Sequence, residues 1–383
     1  MLSRRSRRVS PLFRRMVPGR GLRGPGKGAR DPDMGAGQGG ARRCGGHVAG
    51  RLATAAAGLL LGVIPALADC GGGRDLLAEL KREDPAAWAR VMQAAEAEPY
   101  SEGLFWKLTP PGGAPSFLLG SYHFPHPLID PAPEGPSAAL DDARLMLMET
   151  LPEESARLMS LIAADPSMIA NLDRPPLDQV LPAEDFQAVA EALTIHGMTP
   201  ERIARMRPWF LSLLLMTPPC AMEAASGPEG TMDGGFAARA ARQGIPVRGM
   251  ETWDNLLPLL QEDEWSEASL DGLVMAARDL ARARDQQTTG ARLYAAQTVW
   301  PIWTLSIHQA EEAGAAFDAP RIRDRLFDER NEGFVETALP QLREGGVFMV
   351  VGALHLGGEK GVLRLLEAQG FSVSRLPLDR APK

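Results

Sequence analysis

Four short apolar stretches of this chain each run into an ionisable residue. Residues 116–120 lead through Ser121-Tyr122 to His123, and Leu145-Met146-Leu147-Met148 ends at Glu149. Residues 245–250 end at Glu251, and residues 347–351 lead through Gly352-Ala353-Leu354 to His355. Short apolar runs bounded by turn residues fit strands buried on both faces. Helical periodicity fills the long intervals between most of them. Parallel neighbours need crossovers of that length, so the pattern predicts an α/β fold with a mainly parallel sheet and βαβ crossovers. Helical text at about 151–230 and 253–315 predicts an α-helical middle insertion. In open α/β sheets, ligands gather beyond the carboxyl ends of the strands. His123, Glu149, Glu251 and His355 are therefore the candidate site.

The finer pattern predicts a helix over 75–97 and two strands, 104–109 and 116–120, joined by the turn Pro110-Pro111-Gly112-Gly113. A short helix is expected at 137–143, an apolar helix opening at Arg207-Pro208-Trp209, and a helix Met232–Gln243 stopped by Gly244. One long amphipathic helix is expected over 321–342, a helix over 360–369 and a last strand over 371–376.

The chain has 383 residues and a formal net charge of −7, but its basic groups are unevenly spread. Residues 52–68 are apolar, follow Arg42, Arg43 and Arg51, and close on Ala66-Leu67-Ala68, the pattern of a secretory signal with cleavage after Ala68. The run is shorter than the roughly 20 residues of a membrane span. Residues 1–68 hold 13 of the 41 Lys/Arg and 2 of the 48 Asp/Glu, so residues 69–383 carry 28 basic and 46 acidic groups, net −18. Such a domain repels phosphate backbones, which argues against a nucleic-acid partner. No later segment is long and apolar enough to form a stable span. The expected organisation is a leader, 1–68, and one α/β domain, 69–383, delivered to the periplasm or secreted. In an oxidising compartment Cys70 and Cys220 could form a disulfide; two free thiols are the alternative.

Six histidines occur in the chain, and two of them share the setting strand–Gly-x-x-His: Gly120–His123 and Gly352–His355. A glycine there lets the backbone turn or pack closely and so place the histidine over a strand end. A lone histidine more often serves a local backbone bond, but the paired strings favour a shared site. Glu149 and Glu251 are either solvated strand ends or carboxylates held by partners or a metal. Two imidazoles with a carboxylate suit divalent Mn, Co or Zn, and Fe has similar ligand preferences. A metal would acidify a bound water, and a second carboxylate could serve as general base. Arg330 could orient a carboxylate or bind an anionic substrate group; a surface arginine is the alternative. His126 suggests a rim residue, and Asp233 a helix-start carboxylate.

At these residues the chain resembles the TraB/GumN family, which includes the Tiki proteins. The resemblance runs from about Cys70 to Leu376 and rests on the order of its matches. These are Gly120–His123, Glu149, Met232-Asp233 through Met250-Glu251-Thr252, Arg330-Asn331, Val351–Leu356, Gly361 and Gly370-Phe371. It departs at Tyr122 and between Trp209 and Asp233. The resemblance implies a fold related to erythromycin esterase and the haem-binding ChaN proteins. It also implies a metal-dependent, peptidase-type site. Carried over by position, His123, Glu149 and His355 are the metal ligands, with Glu251 and Arg330 in support. The expectation is an exported metal-dependent hydrolase, a metallopeptidase-like enzyme acting on a peptide or small-molecule substrate. The alternatives are a non-catalytic metal- or haem-binding protein of the same fold, and a metal-free esterase using a His–Glu pair.

Overall fold

The computed structural model describes residues 72–217, 221–222, 230–314 and 318–378. The leader, Cys70 and Cys220 lie outside the described residues. Six strands form one sheet: β1 Phe105–Thr109, β2 Ser116–Ser121, β3 Leu145–Met148, β4 Val247–Gly249, β5 Val347–Gly352 and β6 Ser372–Leu376, in the order β4-β3-β5-β2-β1-β6. The pairings β4/β3, β3/β5 and β5/β2 are parallel. The hairpin pairing β2/β1 and the outer pairing β1/β6 are antiparallel. The α/β expectation therefore holds, with four parallel strands carrying the candidate residues and two antiparallel strands closing one side.

The central strands are apolar because both faces are covered. Leu118, Leu119, Phe348, Met349 and Val350 are fully buried. The helices Glu134–Asp141 and Met232–Gln243 pack on each other and on the sheet, with Phe236 meeting Phe348 at 5.2 Å between ring centroids. The helices Glu329–Glu344 and Val362–Ala368 pack together and add Phe334, Leu342, Leu363 and Leu366 to the same core. The middle insertion builds a second core of its own, in which Glu267–Arg278 packs against Ala183–Leu193 and Pro208–Met216 around Leu193, Leu211 and Leu273.

Several element boundaries differ from the sequence pattern, each for a local reason. The helix expected over 75–97 breaks into Leu76–Glu83 and Pro85–Glu96. Pro85 lacks the amide needed to continue, and the Asp84 side chain caps the new helix through Ala86 and Ala87. The helix expected at 137–143 starts earlier, as Glu134–Asp141. Residues 245–250 shorten to the three-residue edge strand β4, which starts after Pro246, a residue that cannot donate to a ladder. The helix expected over 360–369 narrows to Val362–Ala368, since Gly361 remains extended. The long helix expected over 321–342 is Ala319–Arg323, a π-helical turn Asp324–Asp328, and Glu329–Glu344. The π turn interrupts the helix over only five residues, too short a stretch for hydrophobic spacing to reveal. Met232–Gln243 has the expected limits: Thr231 caps Gly234, and Gly244 closes the helix in the left-handed region at φ 72°.

Candidate functional site

Beyond their carboxyl ends, the parallel strands place the four candidate residues side by side in the order Glu251, Glu149, His355, His123. Each leaves the sheet differently. After β3, Glu149 is still tied to the β4 edge, because its carbonyl accepts from Met250 and Glu251, both at 2.9 Å. After β5, a single 3₁₀ turn, Ala353–His355, swings His355 back over the sheet edge. After β2, His123 follows Ser121 and Tyr122 directly.

Two helices deliver further side chains to the same edge. Met232–Gln243 precedes β4 and Glu329–Glu344 precedes β5, so each runs against its parallel strand and starts where the strands end. Their first turns supply Asp233, and Arg330 with Asn331.

Arg330 is the hub. Its Nε donates to Glu251 Oε2 at 3.1 Å and its Nη2 to Glu149 Oε2 at 2.9 Å, with a further close bond from Nη2 to Glu251 Oε1. Nη1 donates to the Leu326 carbonyl at 3.0 Å and lies 3.3 Å from His355 Nε2. The Leu326 carbonyl belongs to the π turn, so the irregular helix start is tied to the arginine's position. Glu149 Oε1 accepts from the Gly352 amide and lies 3.7 Å from His355 Nε2. His355 Nδ1 lies 2.6 Å from Asn331 Oδ1, and Asn331 Nδ2 donates to the Lys360 carbonyl at 3.0 Å. The edges of Phe327 and Phe334 flank the His355 ring at 5.5 and 5.2 Å.

His123 stands at the open end of this row. Its side chain is 51% exposed, whereas those of His355, Glu149 and Glu251 are 5%, 11% and 5% exposed. Its Nδ1 lies 3.0 Å from Asp233 Oδ2, and Asp233 Oδ1 accepts from the Ser121 hydroxyl at 2.7 Å. Its Nε2 sits tight against Gly352: a Cβ there would lie 2.7 Å from His123 Nε2 and 3.3 Å from Glu149 Oε1.

The electrostatics differ from one end to the other. Burial raises Glu149, but His355, His123, Arg330 and the Gly352 amide outweigh it and hold the carboxyl down to about 2. Burial raises Glu251 above the ordinary carboxyl range, and Arg330 only partly opposes this. Burial, helped by Arg330, pushes His355 down to about 4, so it is neutral at pH 7. Packing alone would also lower His123, yet Asp233 and then Glu149 reverse this and raise it to about 9.

All five expected site residues thus lie on one edge. Glu149, Glu251, Arg330 and His355 form one bonded cluster, and His123 stands beside it, bonded to Asp233 and facing Glu149 Oε1 across Gly352. His126 departs from its expected rim position. It is 8% exposed, and its Nδ1 accepts from the Leu128 amide at 3.2 Å, so it shapes the proline-rich loop. Sequence reasoning missed Asn331 and the Gly352 amide as partners, and treated Asp233 only as a helix-start carboxylate. A polar residue in the first turn of a helix that leads into a parallel strand necessarily lies near the strand ends, and that signal was present in the chain. Tyr122 turns away from the row, donating to the Gln287 carbonyl at 2.7 Å and packing on Tyr294 at 5.6 Å.

Residues 104–375 match the model of the TraB/PrgY/gumN family. The chain belongs to that family. The match spans the sheet from just before β1 into β6, and so includes every residue of the row. Comparison with curated proteins and with solved structures gives no match. Among the described residues no helix is long and apolar enough to cross a membrane.

The donor set can be compared with what a divalent ion needs. Asp233, Glu149 and Glu251 are three carboxylates against the single guanidinium of Arg330. Even with His123 protonated, the row holds more carboxylates than cations. His123 Nε2 and Glu149 Oε1 converge on Gly352, both within 3.3 Å of the point where a Cβ would stand. Donor chemistry, charge and this convergence suit a cation. Among the described residues no three His, Cys, Asp or Glu side chains stand placed to hold one as they are. An ion reaching His355 Nε2 would have to take over its contact with Arg330.

Proposed function

We propose that this TraB/PrgY/gumN protein is an exported hydrolase whose site takes a divalent ion, Mn, Co or Zn, through His123, Glu149 and His355. The observation that carries the reading is the convergence of His123 Nε2 and Glu149 Oε1 on Gly352, both within 3.3 Å of the point where a Cβ would stand. Its charge supports the same view: a row with more carboxylates than cations attracts a positive ion. Such an ion would supply Lewis-acid charge that makes water acidic near neutral pH. The chain's own residues do the rest. Arg330 clamps Glu149 and Glu251 in fixed directions, and the Gly352 amide fixes the inner oxygen of Glu149. Phe327 and Phe334 keep water off His355, while the exposed side of His123 admits the substrate. Glu251, raised by burial, is suited to hold or release a proton at the far end of the row.

The substrate class follows from the family resemblance, which favours a peptide; an ester or other small acyl compound fits the same chemistry. A second reading is favoured by the 3.3 Å contact between Arg330 Nη1 and His355 Nε2. The guanidinium already caps that lone pair, and His123 with Glu149 could handle a proton without a metal, as in an esterase.

Metal analysis of protein purified without chelator, followed by ester and peptide hydrolysis with and without added Mn²⁺, Co²⁺ or Zn²⁺, separates the readings. About one ion per chain, lost in His123→Ala and His355→Ala, is the expected result. Hydrolysis that is indifferent to chelation and added ion supports the metal-free reading. A Soret band on haem addition without hydrolysis supports a binding protein instead.

A further inference from the structure

We infer that Asp233 is the positioning residue of His123: by bridging the Ser121 hydroxyl and His123 Nδ1, it holds the imidazole with Nε2 turned toward Glu149 and makes that nitrogen the strongest donor of the row. The hydrogen-bond partners fix which ring nitrogen carries the proton. A carboxylate oxygen only accepts, so at 3.0 Å from Asp233 Oδ2 the Nδ1 atom must carry the proton and donate it. In the neutral ring Nε2 is then the free nitrogen, and it lies against Gly352 on the side of Glu149. Asp233 itself cannot swing away easily. Its other oxygen accepts from Ser121 at 2.7 Å, Ser121 ends β2, and Asp233 sits in the first turn of a helix capped by Thr231.

His355 offers an internal comparison. Asn331 Nδ2 donates to Lys360, which leaves Oδ1 facing His355 Nδ1 at 2.6 Å. That imidazole also donates from Nδ1 and presents Nε2, here toward Arg330. The two rings therefore share one tautomer, but a carboxylate backs His123 and a neutral amide backs His355. A carboxylate behind an imidazole strengthens the opposite nitrogen as a ligand or proton acceptor, and losing such a partner typically costs 10–100-fold in affinity or activity. His123 is also the exposed member of the pair. The division of labour follows: His355 is a buried neutral post, and His123 is the strong donor at the entrance.

The inference rests on the proposed site for its binding arm only, since the hydrogen-bond arm reads the protein alone. The full chain and its Asp233→Ala, Asp233→Asn and Ser121→Ala variants would be compared by ¹H–¹⁵N spectra of the imidazole protons and by titration with Zn²⁺ and Mn²⁺. The wild type should show a downfield, exchange-protected His123 Nδ1 proton. Asp233→Ala should lose it and weaken ion binding about 10–100-fold. Asp233→Asn keeps an acceptor and loses the charge, so it should retain the proton at higher field, with an intermediate loss of affinity. Ser121→Ala, which keeps Asp233 and cannot disturb the helix cap, should move the resonance upfield and so tests the bridge if an Asp233 variant does not fold. The proposal is overturned if Asp233→Ala keeps the resonance, or if Ser121→Ala leaves it unmoved. Ion affinity within twofold of wild type in Asp233→Ala also overturns it. A wild type that binds no ion counts against the metal reading, and the resonance alone then decides the role of Asp233.

Discussion

The backbone amide of Gly352 donates to the inner oxygen of Glu149, and the absence of a side chain on the same glycine lets His123 Nε2 approach on that side. Gly352 has ordinary dihedrals, φ −55° and ψ 139°, so its backbone does not require glycine. Gly352→Ala is therefore expected to change stability by no more than about 1 kcal/mol, because an exposed histidine can swing aside. The same methyl group would push His123 Nε2 away from Glu149 Oε1, and hydrolysis or ion binding should fall at least about tenfold. Gly120, the matching glycine of the other string, behaves differently. A Cβ there would lie 2.6 Å from Leu356 Cδ1 and 3.0 Å from Ala353 Cα, inside the core. Gly120→Ala should cost about 1–3 kcal/mol through overpacking. Urea denaturation of both variants beside an activity assay checks the contrast, and a large stability loss in Gly352→Ala with none in Gly120→Ala would refute it.

Among the described residues, Arg330 is the only cation bonded to two buried carboxylates. Arg330→Met should destabilise the protein by about 3–5 kcal/mol at pH 7.5, because Glu149 and Glu251 are left facing each other without a counter-charge. Glu251 is already raised by burial, so it takes up a proton first once the guanidinium is gone. The difference between wild type and Arg330→Met should shrink at pH 5.5, and adding Glu251→Gln should recover part of the loss at pH 7.5. Denaturation midpoints at the two pH values test this; a difference that is constant or grows on acidification contradicts the account.

The four strand-end residues were legible in the sequence because the signal is one-dimensional: an apolar run, then a group that can ionise. Their neighbour relations were not. The lateral order Glu251, Glu149, His355, His123 depends on β5 inserting between β3 and β2, a pairing separated by some two hundred residues of chain. Arg330 and Asn331 were visible as a pair, but which atoms they meet depends on the direction of their helix and on the π turn before it. The turn spans only five residues, too few for the hydrophobic spacing of 321–342 to reveal it. Asp233 looked like a routine helix-start acid for the same reason. Its role comes from where the helix begins, at the edge that holds Ser121 and His123.

The helical insertion has a polar anchor of its own, remote in sequence from the row. The side chain of Glu264 is 2% exposed and is gripped by Arg207, with Nε at 2.8 Å, while its other oxygen accepts from the Trp209 amide at 3.4 Å. Glu264→Ala removes the partner of Arg207 at the start of Pro208–Met216, whose Leu211 and Leu215 belong to the second core. A loss of about 2–4 kcal/mol is expected, since the arginine is partly hydrated. Because this core is separate from the sheet core, limited proteolysis should cut first within the insertion, with the 104–150 and 319–378 regions still protected. Uniform proteolysis of the whole chain would show that the two cores unfold as one.

The acid side of the stability profile should be set by the buried end of the row. His355 is held at about 4, below its ordinary 6.5. Between those values the unfolded chain binds a proton that the folded site refuses, so stability is complete above pH 6.5 and falls as the pH drops toward 4. Glu149 is held at about 2 against an ordinary 4.5, and extends the loss as the pH falls from 4.5 toward 2. Each group contributes a slope of at most about 1.4 kcal/mol per pH unit. His123 acts in the opposite sense: its raised value favours the folded state below pH 6.5, and that contribution fades as the pH rises through about 9. Solvent screening at its exposed ring keeps this term small. Urea midpoints from pH 7.5 to 3 should therefore decline steadily in the wild type. His355→Gln retains a side chain that can bond Asn331 but cannot titrate, so its profile should be flatter between pH 6.5 and 4.5 and rejoin the wild-type slope below that. Equal slopes for the two proteins across the upper window would mean that His355 is not held neutral by burial beside Arg330. In that case the guanidinium could not be capping its Nε2.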